Sequence, residues 1–148
     1  MKILIADDSI FARSLLSNTL HKLGFSDIIE ASNGDEAVTM TYLEKPDIVF
    51  LDIVMPNMFG DEALKKIINT NPDAKVIMVT SINDKDKRHS LLANGAIDYL
   101  VKPFDESELR EVLNKVTNMK PVSDVTLLLK PERDLLKGVI SKMLIPTS

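Results

Sequence analysis

Short apolar runs rich in β-branched residues alternate along the chain with longer segments whose apolar residues recur at helical spacing. A regular succession of strand and helix favours a parallel sheet that is covered by helices on both faces. The alternation predicts an α/β fold with strands over Lys2–Ala6, Asp27–Ala31, Asp47–Leu51, Lys75–Thr80 and Ile97–Val101 and helices over Ile10–Leu23, Gly34–Glu44, Gly60–Asn69, Asp84–Asn94 and Glu106–Asn118.

Residues typical of helix ends mark several of these boundaries. Ser9 precedes the first helix as a candidate N-cap, and Gly24 follows it. Pro46 and Pro72 end the second and third helices shortly before the next strand begins. Right-handed crossovers between five strands favour the flavodoxin-like order 2-1-3-4-5 over a dinucleotide-binding order. The predicted fold is therefore a three-layer sandwich in which strands 1 and 3 are neighbours.

Residues 119–148 depart from the repeat. Residues 120–123 are typical of a linker, residues 125–129 form a short apolar run, and an extra amphipathic helix is predicted after Pro131. The apolar stripe of this helix consists of Leu135, Leu136, Val139, Ile140, Met143 and Leu144. Such a stripe is buried against its own domain, in a homodimer or on another protein. We predict a domain over residues 1–118 and a C-terminal extension over residues 119–148, which is too short for an independent DNA-binding domain.

Composition excludes several classes of site. The chain has no cysteine, which excludes disulfides and thiolate metal sites, and its two histidines are too few for a zinc site. The net charge of −4 and the pI near 5.2 are opposite to the basic balance of a protein that binds nucleic acid directly. The N-terminus is no signal peptide, and no apolar run reaches membrane-spanning length. We therefore expect a cytoplasmic protein without membrane insertion.

Carboxylates follow two strands that are predicted to be neighbours. Asp7 and Asp8 come directly after strand 1, and Asp52 comes directly after strand 3. These strand ends flank the switch point at which open α/β sheets bind ligands. Several carboxylates in one cleft need a cation among them, and a hard divalent ion such as Mg²⁺ fits this ligand type. The sequence therefore predicts a Mg²⁺ site; acids that merely cap helices and stay solvated are the alternative.

Further polar groups are predicted at the same edge of the sheet. Lys102 follows strand 5, and its ammonium can pair with Asp52 or with a phosphoryl oxygen. Strand 4 ends at Thr80, a residue type that is as typical of strands as of ligand sites. When a metal and Lys102 balance the charge, Asp52 can attack a phosphorus atom and form an aspartyl phosphate.

Ordered motifs across residues 1–118 resemble the receiver domain of bacterial and archaeal response regulators. In chain order the motifs are Ile5 to Ser9 (IADDS), Glu30 to Ala37 (EASNGDEA), Pro46 to Pro56 (PDIVFLDIVMP) with Gly60, Thr80-Ser81, Gly95-Ala96 and Tyr99 to Phe104 (YLVKPF). The segment from Asp8 to Arg13 and the near absence of an output domain look most like the chemotaxis-type, single-domain regulators.

The resemblance implies a role for each matching residue of the site. Asp52 would accept a phosphoryl group from a histidine kinase, and Lys102 would contact that group. Mg²⁺ would be bound by Asp7, Asp8, Asp52 and the backbone carbonyl of Val54. The peptide bond between Lys102 and Pro103 would be cis.

Thr80 and Tyr99 match the positions of a switch pair. By resemblance, phosphorylation draws Thr80 toward the phosphoryl oxygens and lets the Tyr99 ring turn inward. This changes the face made by helix 4, strand 5 and helix 5, where a downstream protein would bind. The alternative for Tyr99 is an ordinary half-buried strand aromatic.

Two apolar residues would flank the phosphoryl group. Val54 lies two residues after Asp52, and Ile82 lies two residues after Thr80. Neither side chain can orient an attacking water molecule, so we expect slow self-dephosphorylation. A dedicated phosphatase would then be useful.

Three other functions are weighed against the signalling switch. A hydrolase with an aspartyl nucleophile usually carries Asp-x-Asp after strand 1, whereas Asp7 and Asp8 are adjacent here. Its turnover would also need a base, and both candidates, His21 and His89, lie in predicted helices away from the strand ends. A flavin- or nucleotide-binding protein would carry a glycine-rich phosphate loop after strand 1, and the sequence has no such loop there. A pseudo-receiver would act as a scaffold without phosphorylation, although all the functional positions are present. We expect a switch that catalyses only its own phosphorylation and slow dephosphorylation, and is otherwise not an enzyme.

Overall fold

A computed structural model of the protein describes residues 1–118, in which strands and helices alternate. The elements are β1 Lys2–Ala6, α1 Ile10–Lys22, β2 Asp27–Ala31, α2 Gly34–Glu44, β3 Ile48–Asp52, α3 Gly60–Thr70, β4 Lys75–Thr80, α4 Lys85–Ala93, β5 Asp98–Val101 and α5 Glu106–Thr117. The strands form one parallel sheet in the order β2-β1-β3-β4-β5. The predicted α/β class and flavodoxin-like strand order are confirmed.

The sheet carries a separate core on each face, because alternate residues of a strand point to opposite sides. In β3, Val49 and Leu51 face one side, whereas Ile48 and Phe50 face the other. Residues of α2, α3 and α4 cover the first side, and residues of α1 and α5 cover the second. The central strand β3 is buried along its whole length. This arrangement is the predicted three-layer sandwich.

Helix ends differ from the prediction by one residue where capping groups set them. The side chain of Asp84 accepts hydrogen bonds from the backbone N–H groups of Asp86 and Lys87, so Asp84 caps α4 from outside the helix. The other differences are at Asn94, Leu23 and Asn118, which are C-caps, and at Thr70, which extends α3.

β3 is displaced by one residue from its predicted bounds of Asp47–Leu51. Asp47 precedes the strand, and its carboxylate accepts a hydrogen bond from the backbone N–H of Lys2 at 2.8 Å. At the other end, Asp52 is still in register with Val79 of β4. Asp52 is therefore the last residue of the strand, so the sheet itself fixes its backbone. β5 likewise begins one residue later than predicted, at Asp98.

Met1–Asn118 form one compact unit. The linker, apolar run and amphipathic helix that the sequence predicts in the C-terminal extension lie outside the described residues. Among residues 1–118, no helix is both long enough and apolar enough to cross a membrane.

Candidate functional site

The site lies where parallel strands end at one edge of the sheet. Ala6 of β1 is in register with Leu51 of β3, so the next residues, Asp7 and Asp52, are neighbours. Lys102 directly follows β5 at the same edge, and its backbone N–H donates to the last carbonyl of β4 at 2.8 Å. The parallel register therefore brings together residues that are far apart in the sequence.

Three carboxylates meet at this edge. Asp7, Asp8 and Asp52 each offer an oxygen atom, and these atoms lie within 4.8 Å of one another. Asp7 and Asp52 are 6% and 8% exposed, whereas Asp8 is exposed. The structure therefore brings the predicted cluster together, and the alternative of solvated acids does not describe Asp7 or Asp52.

Lys102 supplies positive charge to the cluster. Its Nζ atom lies 2.6 Å from Oδ2 of Asp7 and 3.5 Å from Oδ2 of Asp52. Burial opposes the charge on Lys102, but the hydrogen bond with Asp7 and the nearby charge of Asp52 outweigh it, so the pKa of Lys102 is raised. The peptide bond between Lys102 and Pro103 is cis, as the resemblance implied.

Asp52 lies in surroundings that disfavour its charge. Burial is the largest cause of its raised pKa, and Asp7 adds to the effect, while Lys102 acts in the opposite direction. Hydrogen bonds from the backbone of Ile53 and Val54 also lower the pKa, but they do not outweigh burial. The Lys102 ammonium contacts two of the three carboxylates of the cluster, so its single charge does not balance theirs.

The donor set fits a hard divalent cation. It consists of oxygen atoms from adjacent carboxylates, which is the chemistry that Mg²⁺ prefers. Asp7 is held in place because its Oδ1 atom accepts from the N–H of Ser9 at 2.9 Å and its carbonyl accepts from Arg13 at 2.6 Å. The backbone carbonyl of Val54 remains a predicted ligand.

Arg13 is a supporting residue whose role was missed by the reasoning from sequence. Its guanidinium joins the carbonyl of Asp7 to Glu30 of β2, with a 2.8 Å contact to the Glu30 carboxylate. The sequence pattern that could have indicated this role is the segment from Asp8 to Arg13, which resembles the chemotaxis-type regulators. Arg13 therefore ties the loop that carries the acids to the neighbouring strand.

Gly60 keeps the backbone of α3 close to the acceptor strand. A Cβ atom at this position would lie 2.1 Å from the carbonyl oxygen of Asp52 and 2.7 Å from Cα of Ile53. The N–H of Gly60 donates to the carbonyl of Ile53 at 2.6 Å. The sequence pattern included Gly60, but the close approach that requires it is visible only in the fold.

Thr80 and Tyr99 both contact the backbone of Ile82. The Thr80 hydroxyl, in a residue that is 1% exposed, accepts from the N–H of Ile82 at 3.2 Å. The Tyr99 hydroxyl donates to the carbonyl of the same residue. The Tyr99 side chain is buried at 7% exposure rather than half-buried, and burial raises the pKa of its phenol. Ile82 therefore connects the two predicted switch residues.

The predicted flanking side chains are accessible. Val54 is 55% exposed and Ile82 is 36% exposed, and both are apolar. His21 and His89 are exposed residues of α1 and α4, away from the strand ends. No histidine of the described residues therefore belongs to the carboxylate cluster.

An apolar groove of about 550 Å³ opens beside the carboxylates. Asp7 and Lys102 are among its lining residues, together with residues of α1 and of the loop before α5. Phe11 and Leu15 of α1 line it while remaining largely exposed. Apolar surface therefore continues from the site onto α1.

Comparison with known proteins assigns the family. Residues 3–114 match the model of the response regulator receiver domain. The chain therefore belongs to the response regulator receiver domain family. Its relatives include the chemotaxis protein CheY of Thermotoga maritima, which is 40% identical over 116 residues, covering 78% of this chain and 97% of that protein. CheY of Listeria monocytogenes is 42% identical over 115 residues, with 78% and 97% covered.

Solved structures agree with this assignment. The CheX–CheY–BeF₃–Mg²⁺ complex of Borrelia burgdorferi matches with a TM-score of 0.76 and 32% identity, over 80% of this chain and 90% of that one. The response regulator domain of Thermotoga maritima CheB matches with a TM-score of 0.72 and 32% identity, over 82% and 98%. The chain is thus a receiver domain of the type found in chemotaxis regulators and two-component signalling.

Proposed function

We propose that a histidine kinase phosphorylates this protein on Asp52 and that the phosphorylated form presents a changed surface to a downstream protein. The observation that carries the proposal is the pairing of a mostly buried Asp52 with Lys102, inside a cluster of carboxylates. A buried acid at a strand end, facing a fixed ammonium, is suited to attack phosphorus.

The transfer needs one bond to form and one to break. A carboxylate oxygen of Asp52 attacks the phosphorus atom, and the bond between phosphorus and the donor imidazole nitrogen breaks, so the histidine leaves with its electron pair. Lys102 is 3.5 Å from Asp52 and is therefore within reach of the oxygens of the arriving group. Its charge stabilises the negative charge that the group brings into the cleft.

Mg²⁺ is the cation that best fits the cluster, with Asp7, Asp8, Asp52 and the Val54 carbonyl as its ligands. When bound, it neutralises the acids and the oxygens of the transferring group. The related CheY of Borrelia burgdorferi was crystallised in a complex with Mg²⁺ and BeF₃, which supports the same assignment here by relationship.

The donor approaches from the side of α1. A kinase must bring its histidine to Asp52, and the apolar groove is lined in part by Asp7 and Lys102 of the carboxylate site. Phe11 and Leu15, 77% and 58% exposed, offer an apolar contact surface next to the acceptor.

The signal leaves the site through Ile82. In the unphosphorylated structure the Thr80 hydroxyl accepts a hydrogen bond from the N–H of Ile82. A phosphoryl group on Asp52 attracts this hydroxyl away from Ile82. Any shift of Ile82 reaches Tyr99, because the Tyr99 hydroxyl donates to the Ile82 carbonyl. The face formed by α4, β5 and α5 would then bind the downstream target.

Slow turnover follows from the surroundings of Asp52. Val54 and Ile82 are apolar, and neither can position a water molecule for attack on phosphorus. A separate phosphatase therefore resets the protein. The protein acts as a switch in the cytoplasm and catalyses no reaction on an external substrate. The C-terminal extension, a candidate segment for homodimer formation, lies outside the described residues.

Transfer from a labelled kinase tests this function. Histidine kinases from the same organism, each carrying a radioactive phosphoryl group, are mixed with the wild type and with Asp52→Ala. Label should move rapidly from at least one kinase to the wild type and never to the variant. If label stays on every kinase, the pseudo-receiver scaffold is the better description.

A further inference from the structure

Two adjacent basic residues of α4 contact different neighbouring elements. The Nζ atom of Lys87 lies 2.8 Å from Oδ2 of Asp61, in the first turn of α3. The guanidinium of Arg88 lies 4.9 Å from the centre of the Tyr99 ring, in β5. α4 is thus connected on one side to the helix that follows Asp52 and on the other to the predicted switch residue.

Arg88 contacts the ring face of Tyr99, and Ile82 contacts its hydroxyl. The phenol hydroxyl donates to the carbonyl of Ile82, and the guanidinium lies over the ring. Attraction between a cation and the face of an aromatic ring favours this arrangement. Outward rotation of the ring would break both contacts, so each of them favours the inward position.

The ion pair of Lys87 fixes the turn of α4 that carries Arg88. Lys87 and Asp61 have side chains that are 32% and 41% exposed, so water screens their interaction only in part. The pKa of Asp61 is lowered chiefly by its hydrogen bond from Lys87, which accords with a formed pair. Neither this pair nor the contact of Arg88 with Tyr99 involves Asp52.

We infer that Lys87 and Arg88 form a latch that holds the Tyr99 ring inward independently of phosphorylation. The inward position is then already well populated in the resting protein, and phosphorylation shifts an existing equilibrium further. This inference rests on the proposed function in one respect, namely that Tyr99 is the switch residue. Arg88 is a positioning residue in this scheme, because it acts through Tyr99.

Fluorine NMR of the unphosphorylated protein tests the latch. The chain contains two tyrosines, so incorporation of 3-fluorotyrosine gives two signals, and Tyr42 of α2, 60% exposed, is an internal reference. In the wild type, the signal of Tyr99 should be shielded from solvent. Arg88→Met should shift the ratio of inward to outward rings by about two- to fivefold toward the outward form.

Matched variants separate charge from packing. Arg88→Lys keeps a cation and should move the Tyr99 signal less than Arg88→Met does. Asp61→Asn, which removes the partner of Lys87, should move it in the same direction as Arg88→Met. Lys85→Met, at an exposed residue of the same helix, should leave it unchanged. Circular dichroism checks that each variant is folded.

Three outcomes would overturn the latch: a solvent-exposed Tyr99 ring in the wild type, an unchanged signal in Arg88→Met, or an equal effect of Lys85→Met. Repeating the spectra with Asp52→Asn removes phosphorylation altogether and should give the same result. Failure of the latch is therefore distinguishable from failure of Asp52 as the acceptor, which the kinase experiment decides.

Discussion

Lys102 allows two mostly buried carboxylates to lie side by side. Its ammonium contacts Asp7 at 2.6 Å and lies 3.5 Å from Asp52, while its own side chain is 29% exposed. Removing one partner of such a group leaves charges without compensation in a poorly solvated place. Lys102 therefore contributes to the folded site as well as to the proposed chemistry.

Lys102→Met should slow phosphorylation of Asp52 by a small acyl phosphate about 10²-fold, since the variant loses the charge that faces the transferring group. The rate of mass gain in the presence of Mg²⁺ measures the effect. Lys65→Met, at an exposed residue of α3, is the control and should behave as the wild type. Equal rates for Lys102→Met and the wild type would remove Lys102 from the mechanism.

Ile82→Glu should shorten the lifetime of the phosphorylated protein by at least about tenfold, because a carboxylate near the phosphoryl group can orient a water molecule. Decay of the phosphorylated mass after removal of the donor measures the lifetime. Asn83→Glu, at the next residue, is the matched control. A wild-type lifetime of seconds or less would contradict the expectation that self-dephosphorylation is slow because Val54 and Ile82 flank the phosphoryl group.

At the scale of elements, capping groups and close backbone contacts position the site. Asp105 and Glu108 form a capping box at the start of α5, just after the loop that carries Lys102. Gly60 lets α3 begin against Asp52. The loops around the acceptor are therefore held by the helices that follow them.

The elements were largely predictable because apolar periodicity and residues such as Ser9 and Pro46 mark where each begins or ends. The predicted bounds of β3 were one residue too early, because an aspartate stands at each end of the apolar run and the sequence does not show which of the two belongs to the strand. Only pairing with β4, where Asp52 is opposite Val79, determines it.

Asp61→Asn should make the free energy of unfolding change less between pH 7 and pH 3 than it does in the wild type. Because Lys87 lowers the pKa of folded Asp61, the pair stabilises the protein above the ordinary aspartate value of 3.8, and this contribution is lost as the pH falls through the lower, folded value. At pH 7 the variant should be less stable by up to about 1 kcal/mol. Urea unfolding at pH 7 and pH 3 measures both proteins; a difference that grows in acid would contradict the pairing.

At the scale of the molecule, residues 1–118 supply a core on each face of the sheet. The face of β3 that carries Leu51 is covered by α2, α3 and α4, and the face that carries Phe50 is covered by α1 and α5. A protein of residues 1–118 should therefore fold cooperatively and accept a phosphoryl group at the wild-type rate. Urea unfolding and the mass assay measure these properties; a truncated protein that fails to fold would show that residues 119–148 are needed for stability.

The candidate site was predictable to the extent that strand ends determine it. Asp7, Asp8, Asp52 and Lys102 each follow or end a strand, and a parallel sheet brings such positions to one edge. The contacts of Arg13, Lys87 and Arg88 were not predictable in this way. They join helices to other elements, and side-chain partners of this kind depend on how the helices pack, which apolar periodicity does not specify.

The intact mass of the protein after incubation with Mg²⁺ and a small acyl phosphate tests the central claim most directly. The wild type and Asp47→Asn, altered at the opposite end of the same strand region, should each gain the mass of one phosphoryl group. Asp52→Asn should gain none, and chelation of Mg²⁺ should abolish the gain in all samples. A wild type that gains no mass, or an Asp52→Asn variant that still does, would contradict the assignment of Asp52 as the phosphoacceptor.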